Sequence, residues 1–159
     1  MKKIAVFADV QNIYYTTKHT FGRSFNYRRL WSLLNEQGEI FSACAYATYR
    51  GDDSQHKFQE ALRHIGFEVK LKPFIQRSDG SAKGDWDVGI TIDVMEAASA
   101  VDTIVLLSGD GDFDLLLQKI GTDYGVESEV YGVQALTAQS LIKACTVYHP
   151  ITEKLLLAH

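Results

Sequence analysis

Cysteine and proline are scarce in this chain of 159 residues, which has two of each. Cys44 and Cys145 lie far apart and in apolar stretches, so they form neither a disulfide framework nor a zinc site by spacing. We expect both to be small buried thiols in a reducing compartment. Because the chain also lacks low-complexity tracts and internal repeats, its length predicts one domain over residues 1–159.

Long apolar runs are missing as well. The first apolar stretch, Ile4–Ala8, follows two lysines but is interrupted by Asp9 and is too short for a signal-peptide core. No run approaches the ~20 apolar residues that a membrane-spanning helix needs. These absences predict a cytoplasmic protein that does not contact a membrane.

An excess of positive charge is also absent. The chain has 16 basic and 20 acidic residues, for a net charge of −4. A negative total does not indicate a nucleic-acid-binding protein. However, an acidic active site lowers the net charge without excluding a local basic groove, so the total decides little.

The most informative segment is the acidic turn SGDGDFD at residues 108–114. It follows the apolar run Thr103–Leu107 and precedes the helix-like stretch Leu115–Ile120, a pattern that predicts a buried parallel strand, a turn and a helix start. Ligands of open α/β sheets bind outside the carboxyl ends of strands. Since crowded carboxylates repel one another unless solvated, protonated or bound to a cation, the turn predicts a hard-metal site for phosphate chemistry.

Strand and helix patterns alternate along the rest of the chain. This alternation predicts an α/β fold, a three-layer sandwich whose mostly parallel sheet is covered by helices on both faces. Residues 14–23 are predicted as a polar, exposed stretch, and 73–84 as a mobile loop at the rim of the site. Further strands are predicted at 3–8, 39–49, 67–71, 127–133 and 146–148, and helices from Asn26, after Asp53, over about 85–100, 112–120, 137–144 and 150–157.

Other carboxylates could join those of the turn. Asp9 ends the first strand, so it would converge with Asp110 if the two strands are neighbours, and Asp87 at a helix start could complete the site. Each aspartate is equally a common turn or capping residue, and capping is the whole role expected for Asp85. Mg²⁺ and Mn²⁺ suit oxygen ligands, and one or two ions would fit. The candidate ligands are Asp9, Asp87, Asp110 and Asp112, with Asp93 and Asp114 in reserve.

Several other site classes fail on spacing. Asp110, Asp112 and Asp114 match the first acidic positions of an EF-hand loop, but Leu115 replaces its glycine and Gly121 its final glutamate. The turn lacks the third glycine of a dinucleotide fingerprint and the lysine of a phosphate-binding P-loop. Since no serine–histidine or cysteine–histidine set is evident, water is the simplest nucleophile.

Three motifs together resemble the NYN domain family, the LabA-like branch of the PIN-like nuclease superfamily. They are DVQN at residues 9–12, KGDWD at 83–87 with Asp93 beyond it, and SGDGDF at 108–113. The resemblance covers essentially the whole chain, with the motifs in the family's order. It departs at Asp114-Leu115, where related chains often carry a proline-containing turn, so we interpret Asp114 as a helix-start residue.

The resemblance implies a PIN-like sandwich with strand order 3-2-1-4-5 and a Mg²⁺- or Mn²⁺-dependent endoribonuclease. Asp9, Asp87, Asp110 and Asp112 match the family's acidic metal-site positions. Asn12 matches an asparagine that supports the first aspartate. Asp93 and Ser108 stand in the same motifs as supporting residues.

A nuclease must also hold a polyanion beside its acidic centre. Basic side chains would rim the site, and aromatic side chains could stack on unpaired bases. The ordinary alternative for each is a solvated charge or a core aromatic residue. RNA rather than DNA follows from the resemblance alone. The candidates are Lys72, Arg77 and Lys83 on the loop, Arg23 and Arg50, and the aromatic residues Tyr14, Tyr15 and Trp86.

Three functional classes stay open. The intact acidic set favours a metal-dependent ribonuclease. A catalytically weak or silent module of the same fold that binds nucleic acid or protein is the main alternative, and a phosphatase of small phosphoesters is a third. A homo-oligomer is compatible with each.

Overall fold

The computed structural model describes residues 1–49, 53–73, 75–76, 82–83 and 85–158, with only the backbone described for 73, 75–76 and 82–83. The predicted basic residues Arg50 and Arg77 and the side chain of Lys83 lie outside the described residues. The predicted rim loop over 73–84 therefore falls largely outside them too. In the part of the chain that is described, no helix is long and apolar enough to cross a membrane.

Six parallel strands form the main sheet, in the order β3-β2-β1-β6-β7-β8. Numbered within this sheet, the order is 3-2-1-4-5-6, so the predicted order is confirmed and a sixth strand extends it. A separate antiparallel pair joins β4 to β5. The strands are β1 (Lys3–Asp9), β2 (Glu39–Tyr49), β3 (Glu68–Pro73), β4 (Ile75–Gln76), β5 (Ala82–Lys83), β6 (Thr103–Leu107), β7 (Glu127–Gly132) and β8 (Val147–Pro150).

Helices cover both faces of the main sheet, which confirms the three-layer sandwich. Side chains of α1, α2 and α3 share one buried cluster, and those of α4, α5 and α6 share another. β1 feeds both, since Val6 belongs to the first and Phe7 to the second, as alternation along a strand requires. The helices are α1 (Val10–Phe21), α2 (Tyr27–Gln37), α3 (Asp53–Ile65), α4 (Asp87–Ala98), α5 (Asp114–Tyr124) and α6 (Gln139–Ala144).

The two central strands place the acidic motifs side by side. All five residues of β6 are buried, because this strand is covered by helices on both faces. Ala8 of β1 pairs with Leu107 of β6, so Asp9 and the turn after Leu107 leave the sheet at the same carboxyl edge. The convergence predicted from the sequence depends on this register.

Two parts of the sequence interpretation are corrected. The predicted tail helix over 150–157 is wrong, because β8 runs to Pro150 and only a 3₁₀ turn, Glu153–Leu155, follows. There Leu155 and Leu156 are buried, and Leu156 forms a bridge to Phe25. Apolar residues at the end of the chain thus serve tertiary packing rather than a helix face.

The stretch predicted as polar and exposed is helical. Residues 10–21 form α1, with Ile13 and Thr17 among its buried positions while Tyr14 and Tyr15 are exposed. Thr17 Oγ1 donates to the Ile13 carbonyl oxygen at 2.7 Å, which satisfies the buried hydroxyl. Buried threonines therefore disguised the helical period in the sequence.

The two cysteines are free and half-buried rather than fully buried. Burial raises the pKa of both the Cys44 and the Cys145 thiol. Since the thiolate is the reactive form, burial makes both thiols less reactive than exposed ones.

Candidate metal centre at the carboxyl edge of the sheet

Three carboxylates meet beyond the carboxyl ends of β1 and β6. Asp87, Asp110 and Asp112 each offer an oxygen atom, and these atoms all lie within 4.8 Å of one another. Asp110 and Asp112 belong to the turn after β6, and Asp87 is the first residue of α4. Asp87 and Asp110 are half-buried and Asp112 is exposed, so the cluster opens to solvent on one side.

The turn that carries two of these carboxylates is held by internal hydrogen bonds. The Asp112 backbone N–H donates to Asp110 Oδ1 at 2.9 Å. The hydroxyl of buried Ser108 accepts from the Asp110 backbone N–H at 3.1 Å and donates to Asp9 Oδ2 at 3.2 Å. Ser108 therefore connects Asp9 to the backbone that positions Asp110.

Asn12 ties the first motif to the third. Its side-chain oxygen accepts from the Gly109 backbone N–H at 2.9 Å. Its own backbone N–H favours the charged form of Asp9, although the Asp9 side chain completes no capping hydrogen bond. The side chain of Asn12 thus contacts the acidic turn, and only its backbone N–H acts on Asp9.

The site has an excess of negative charge. Burial is the main cause that raises the pKa of Asp87 from 3.8 to about 7, and the adjacent Asp110 carboxylate adds to it. Burial also raises the pKa of Asp9 from 3.8 to about 6, against the Ser108 hydrogen bond, which favours ionisation. Carboxylates that resist ionisation because they are buried and crowded gain most from a cation, so this donor set fits Mg²⁺ or Mn²⁺.

Asp85 has a different place from the one predicted. The N-cap position of α4 is Trp86, whose side chain forms no capping hydrogen bond. Asp85 is exposed, and its charge contributes to the raised pKa of both Asp87 and Asp9. It therefore belongs to the acidic environment of the site. Its position two residues before Asp87 could have indicated this, but we interpreted it as helix capping.

The reserve carboxylates have other partners. Asp93 Oδ2 accepts from the Tyr46 hydroxyl at 2.7 Å and from Lys70 Nζ at 2.6 Å. This pair of contacts explains a charge in the middle of α4 and joins that helix to β2 and β3. Asp114 begins α5 and accepts from the Leu115 backbone N–H, which agrees with its interpretation as a helix-start residue.

The predicted substrate contacts divide into free and engaged side chains. Tyr14 and Tyr15 are 59% and 63% exposed, and Tyr15 stacks on His19. Trp86 is engaged instead, since its Nε1–H donates to the Ala47 carbonyl oxygen at 2.9 Å and Lys72 Nζ lies 4.7 Å from its ring centroid.

Arg23 is also committed elsewhere. Its Nε–H donates to the Leu157 carbonyl oxygen at 2.8 Å, and its guanidinium lies 3.9 Å from a Glu153 carboxylate oxygen. It holds the C-terminal segment, so it is not available as a free cation at the rim.

A glycine in the turn permits its close packing. A Cβ atom on Gly109 would lie 2.7 Å from the Leu136 carbonyl oxygen and 3.2 Å from Thr137 Cα. Because both contacts are with backbone atoms, a side chain here must displace either the turn or the 136–137 segment. The position of Asp110 depends on this approach.

Gly109→Ala is expected to destabilise the fold by ~1–3 kcal/mol, the usual cost of overpacking, and to shift the acidic turn. Urea unfolding measures the first effect, and Mn²⁺-induced change in melting temperature the second. Gly121→Ala is the matched control, since Gly121 lies in α5 with no atom within 4 Å of an added Cβ. Equal stability of the two variants would contradict the steric role of Gly109.

Comparison with known proteins agrees with this architecture. The NYN domain model matches residues 3–153. Low amplitude and bright protein LabA of Synechococcus elongatus is 31% identical over 124 residues, which cover 73% of this chain and 66% of that protein. The chain thus spans just under two thirds of the length of this relative.

A solved structure is similar over nearly the full length. It is the crystal structure of a protein of unknown function from Vibrio parahaemolyticus, with a TM-score of 0.93 and 48% identity over 98% of this chain and 96% of that one. Together with the match over residues 3–153, this similarity extends from β1 through β8. The chain belongs to the nuclease-related NYN domain family, with a LabA protein among its relatives.

Proposed function

We propose that this chain is a cytoplasmic, metal-dependent endoribonuclease that hydrolyses RNA phosphodiester bonds at its aspartate cluster. The observation that carries the proposal is the meeting of the Asp87, Asp110 and Asp112 carboxylates within 4.8 Å at the carboxyl edge of the sheet. Asp9 is linked through the Ser108 hydroxyl to the backbone N–H of Asp110. Membership of a nuclease-related family supports hydrolysis of a nucleic acid at such a site.

Each acidic residue has a separate part in the proposal. Asp87, Asp110 and Asp112 would hold Mg²⁺ or Mn²⁺, and Asp9 would add a fourth carboxylate beside them. When bound, the ion would neutralise phosphate charge and activate water. Ser108 and Asn12 position the turn, since their hydrogen bonds fix the backbone on both sides of Gly109.

The substrate side of the proposal rests on fewer described residues. Lys72 is half-buried beside Trp86, and the exposed ring of Tyr14 could stack on an unpaired base. Arg50, Arg77 and Lys83 complete the proposed basic rim. A phosphate backbone beside four carboxylates requires such cations, because the site otherwise repels it.

A binding module without activity is the second candidate. The observation in its favour is that Asp9, the fourth predicted ligand, is not among the described carboxylates whose oxygen atoms lie within 4.8 Å of one another. RNA binding in EDTA with no cleavage under any metal condition would support this candidate over the nuclease.

The test compares substrates and metals on the purified protein. Labelled single-stranded RNA, structured RNA and single-stranded DNA are incubated with Mn²⁺, Mg²⁺ or EDTA, and a small aryl phosphate monoester is assayed in parallel. We expect RNA cleavage with Mn²⁺ or Mg²⁺ and none in EDTA. Turnover of the monoester with intact RNA would contradict the proposal and favour a phosphatase.

A further inference from the structure

A cavity of about 620 Å³ lies on the side of the sheet covered by α1 and α3, next to the acidic edge. This volume is within the ~300–1,000 Å³ range of small-molecule sites. All the described residues that line it are uncharged at neutral pH. Among them are Gln11, Tyr14, Tyr27, Thr48, Phe58 and Gln59.

Two buried polar side chains in this cavity have no hydrogen-bond partner among the described residues. Gln59 is 4% exposed and Tyr27 is 6% exposed, and neither side chain has a hydrogen bond to any other described residue. Buried amides and hydroxyls are nearly always hydrogen-bonded in proteins. Both groups therefore face either water or a ligand in the cavity.

The polar atoms of these two residues are reachable. Across the described residues, Thr103 Oγ1 is the one side-chain polar atom that is sealed from solvent without a hydrogen-bond partner. The Gln59 amide and the Tyr27 hydroxyl are thus unpartnered but open to the cavity. An amide offers both a donor and an acceptor to whatever enters.

The cavity adjoins the acidic site. Val10 and Gln11 line it and follow Asp9 directly, and Ala47 lines it next to Tyr46, the β2 partner of Asp9. Burial raises the pKa of Tyr27, and the charge of Asp9 adds to this shift, which places the two side chains within electrostatic reach. A ligand in the cavity would therefore lie beside the proposed metal centre.

The lining specifies the chemistry of the occupant. Tyr27 and Phe58 belong to one group of edge-on aromatic rings, and exposed Tyr14 lines the same cavity. None of the described lining residues is a cation, so none of them offers a phosphate group an ion pair. A purely aliphatic ligand would leave the Gln59 amide unpaired, which is costly. A flat, neutral ring with donors and acceptors at its edge satisfies both constraints.

We propose that this cavity binds an unpaired nucleobase of the RNA strand whose phosphate lies at the aspartate cluster. This inference rests on the proposed function and adds a base-recognition site to it. Gln59 reads the edge of the base, and the aromatic side chains contact its faces. The side chain of Gln59 is a specificity determinant and takes no part in bond cleavage.

The test measures nucleoside binding apart from cleavage. Adenosine, guanosine, cytidine and uridine are titrated into the full chain in EDTA and followed by NMR chemical shifts. We expect saturable binding of at least one nucleoside, weakened about ten-fold by Gln59→Leu, which keeps the volume but removes the amide. Tyr14→Ala is expected to weaken binding by a similar factor through lost stacking.

Glu60→Gln is the matched control, because Glu60 is the next residue of α3 and pairs with Arg63 at the surface. It should bind the nucleoside like the wild type. Absence of saturable binding for all four nucleosides, or equal affinity of wild type and both cavity variants, overturns the inference.

Cleavage assays separate this inference from the proposed function. In the active protein, Gln59→Leu should raise KM for the preferred sequence and leave kcat within about two-fold. The reason is that the lost contact with the base stabilises the bound substrate and the transition state equally. Nucleoside binding without RNA cleavage supports the base site and contradicts the nuclease. Cleavage by a protein that binds no nucleoside supports the nuclease and contradicts the base site.

Discussion

Asp110→Asn is expected to lower metal-dependent RNA cleavage by about 100-fold or more without unfolding the protein. The substitution removes a carboxylate from the centre of the cluster, where Asp87 and Asp112 lie within 4.8 Å. An asparagine keeps the Oδ1 atom that accepts from the Asp112 backbone N–H, so the turn retains its internal hydrogen bond. The substitution is thus expected to lower activity while leaving the fold intact.

The measurement is the initial rate of cleavage of a labelled RNA with Mn²⁺, alongside the melting temperature of each protein. Glu127→Gln is the control, because it also removes one negative charge but lies exposed at the start of β7, at the opposite end of the sheet. We expect the control to cleave like the wild type. Full activity in Asp110→Asn would show that the reaction occurs elsewhere or belongs to a contaminant.

Asp87→Asn is expected to stabilise the metal-free protein at pH 8 and to abolish its stabilisation by Mn²⁺. The pKa of Asp87 is raised from 3.8 to about 7 in the folded state, so folding disfavours the charged form. The native state then binds more protons than the unfolded state between these values, and stability falls as pH rises from about 4 to about 7. Asparagine removes this loss.

The size of the effect is set by screening. Asp87 is only half-buried, so solvent reduces the penalty to roughly 1 kcal/mol, which corresponds to about 2–4 °C in melting temperature for a chain of this size. Asp9, with a pKa of about 6, should contribute to the same decline in both proteins. The two melting curves are therefore expected to agree near pH 4 and to separate by pH 8.

Metal addition gives the opposite pH dependence. Mn²⁺ competes with protons for the cluster, so it should raise the melting temperature of the wild type more at pH 8 than at pH 5. Thermal melts without Mn²⁺ and with about 1 mM Mn²⁺, which is enough to occupy a weak site, would measure this difference. Identical shifts in the wild type and Asp87→Asn would remove Asp87 from the metal site.

The sequence by itself determined the class of the fold and the ends of its central strands. Residues 104–107 are continuously apolar because β6 is covered on both faces, and such a run followed by glycines and carboxylates has few other interpretations. The helix start at Asn26 was equally predictable, and the Asn26 side chain accepts from the Arg29 backbone N–H as an N-cap. These signals are local, so they can be recognised in the sequence without knowledge of the tertiary structure.

Only the tertiary structure decided which carboxylates meet and what the others do. Asp85 and Asp87 look alike in the sequence, yet Asp87 enters the cluster, while Asp85 affects it through charge. Asp93 contacts Tyr46 and Lys70, which lie on two different strands, and no spacing within α4 indicates these partners. Contacts between residues far apart in the chain depend on strand order and register, which local patterns do not encode.

The cavity beside Asp9 shows the same division most clearly. Gln59 and Tyr27 lie outside the three sequence motifs, so no local pattern marks either residue. Packing of α1, α3 and the C-terminal segment buries both around one space, where their polar groups form no hydrogen bond with another described residue. The sequence therefore determined the acidic chemistry at the strand ends, because a strand and its turn are local. The folded chain alone created the cavity, because its walls come from five separate segments.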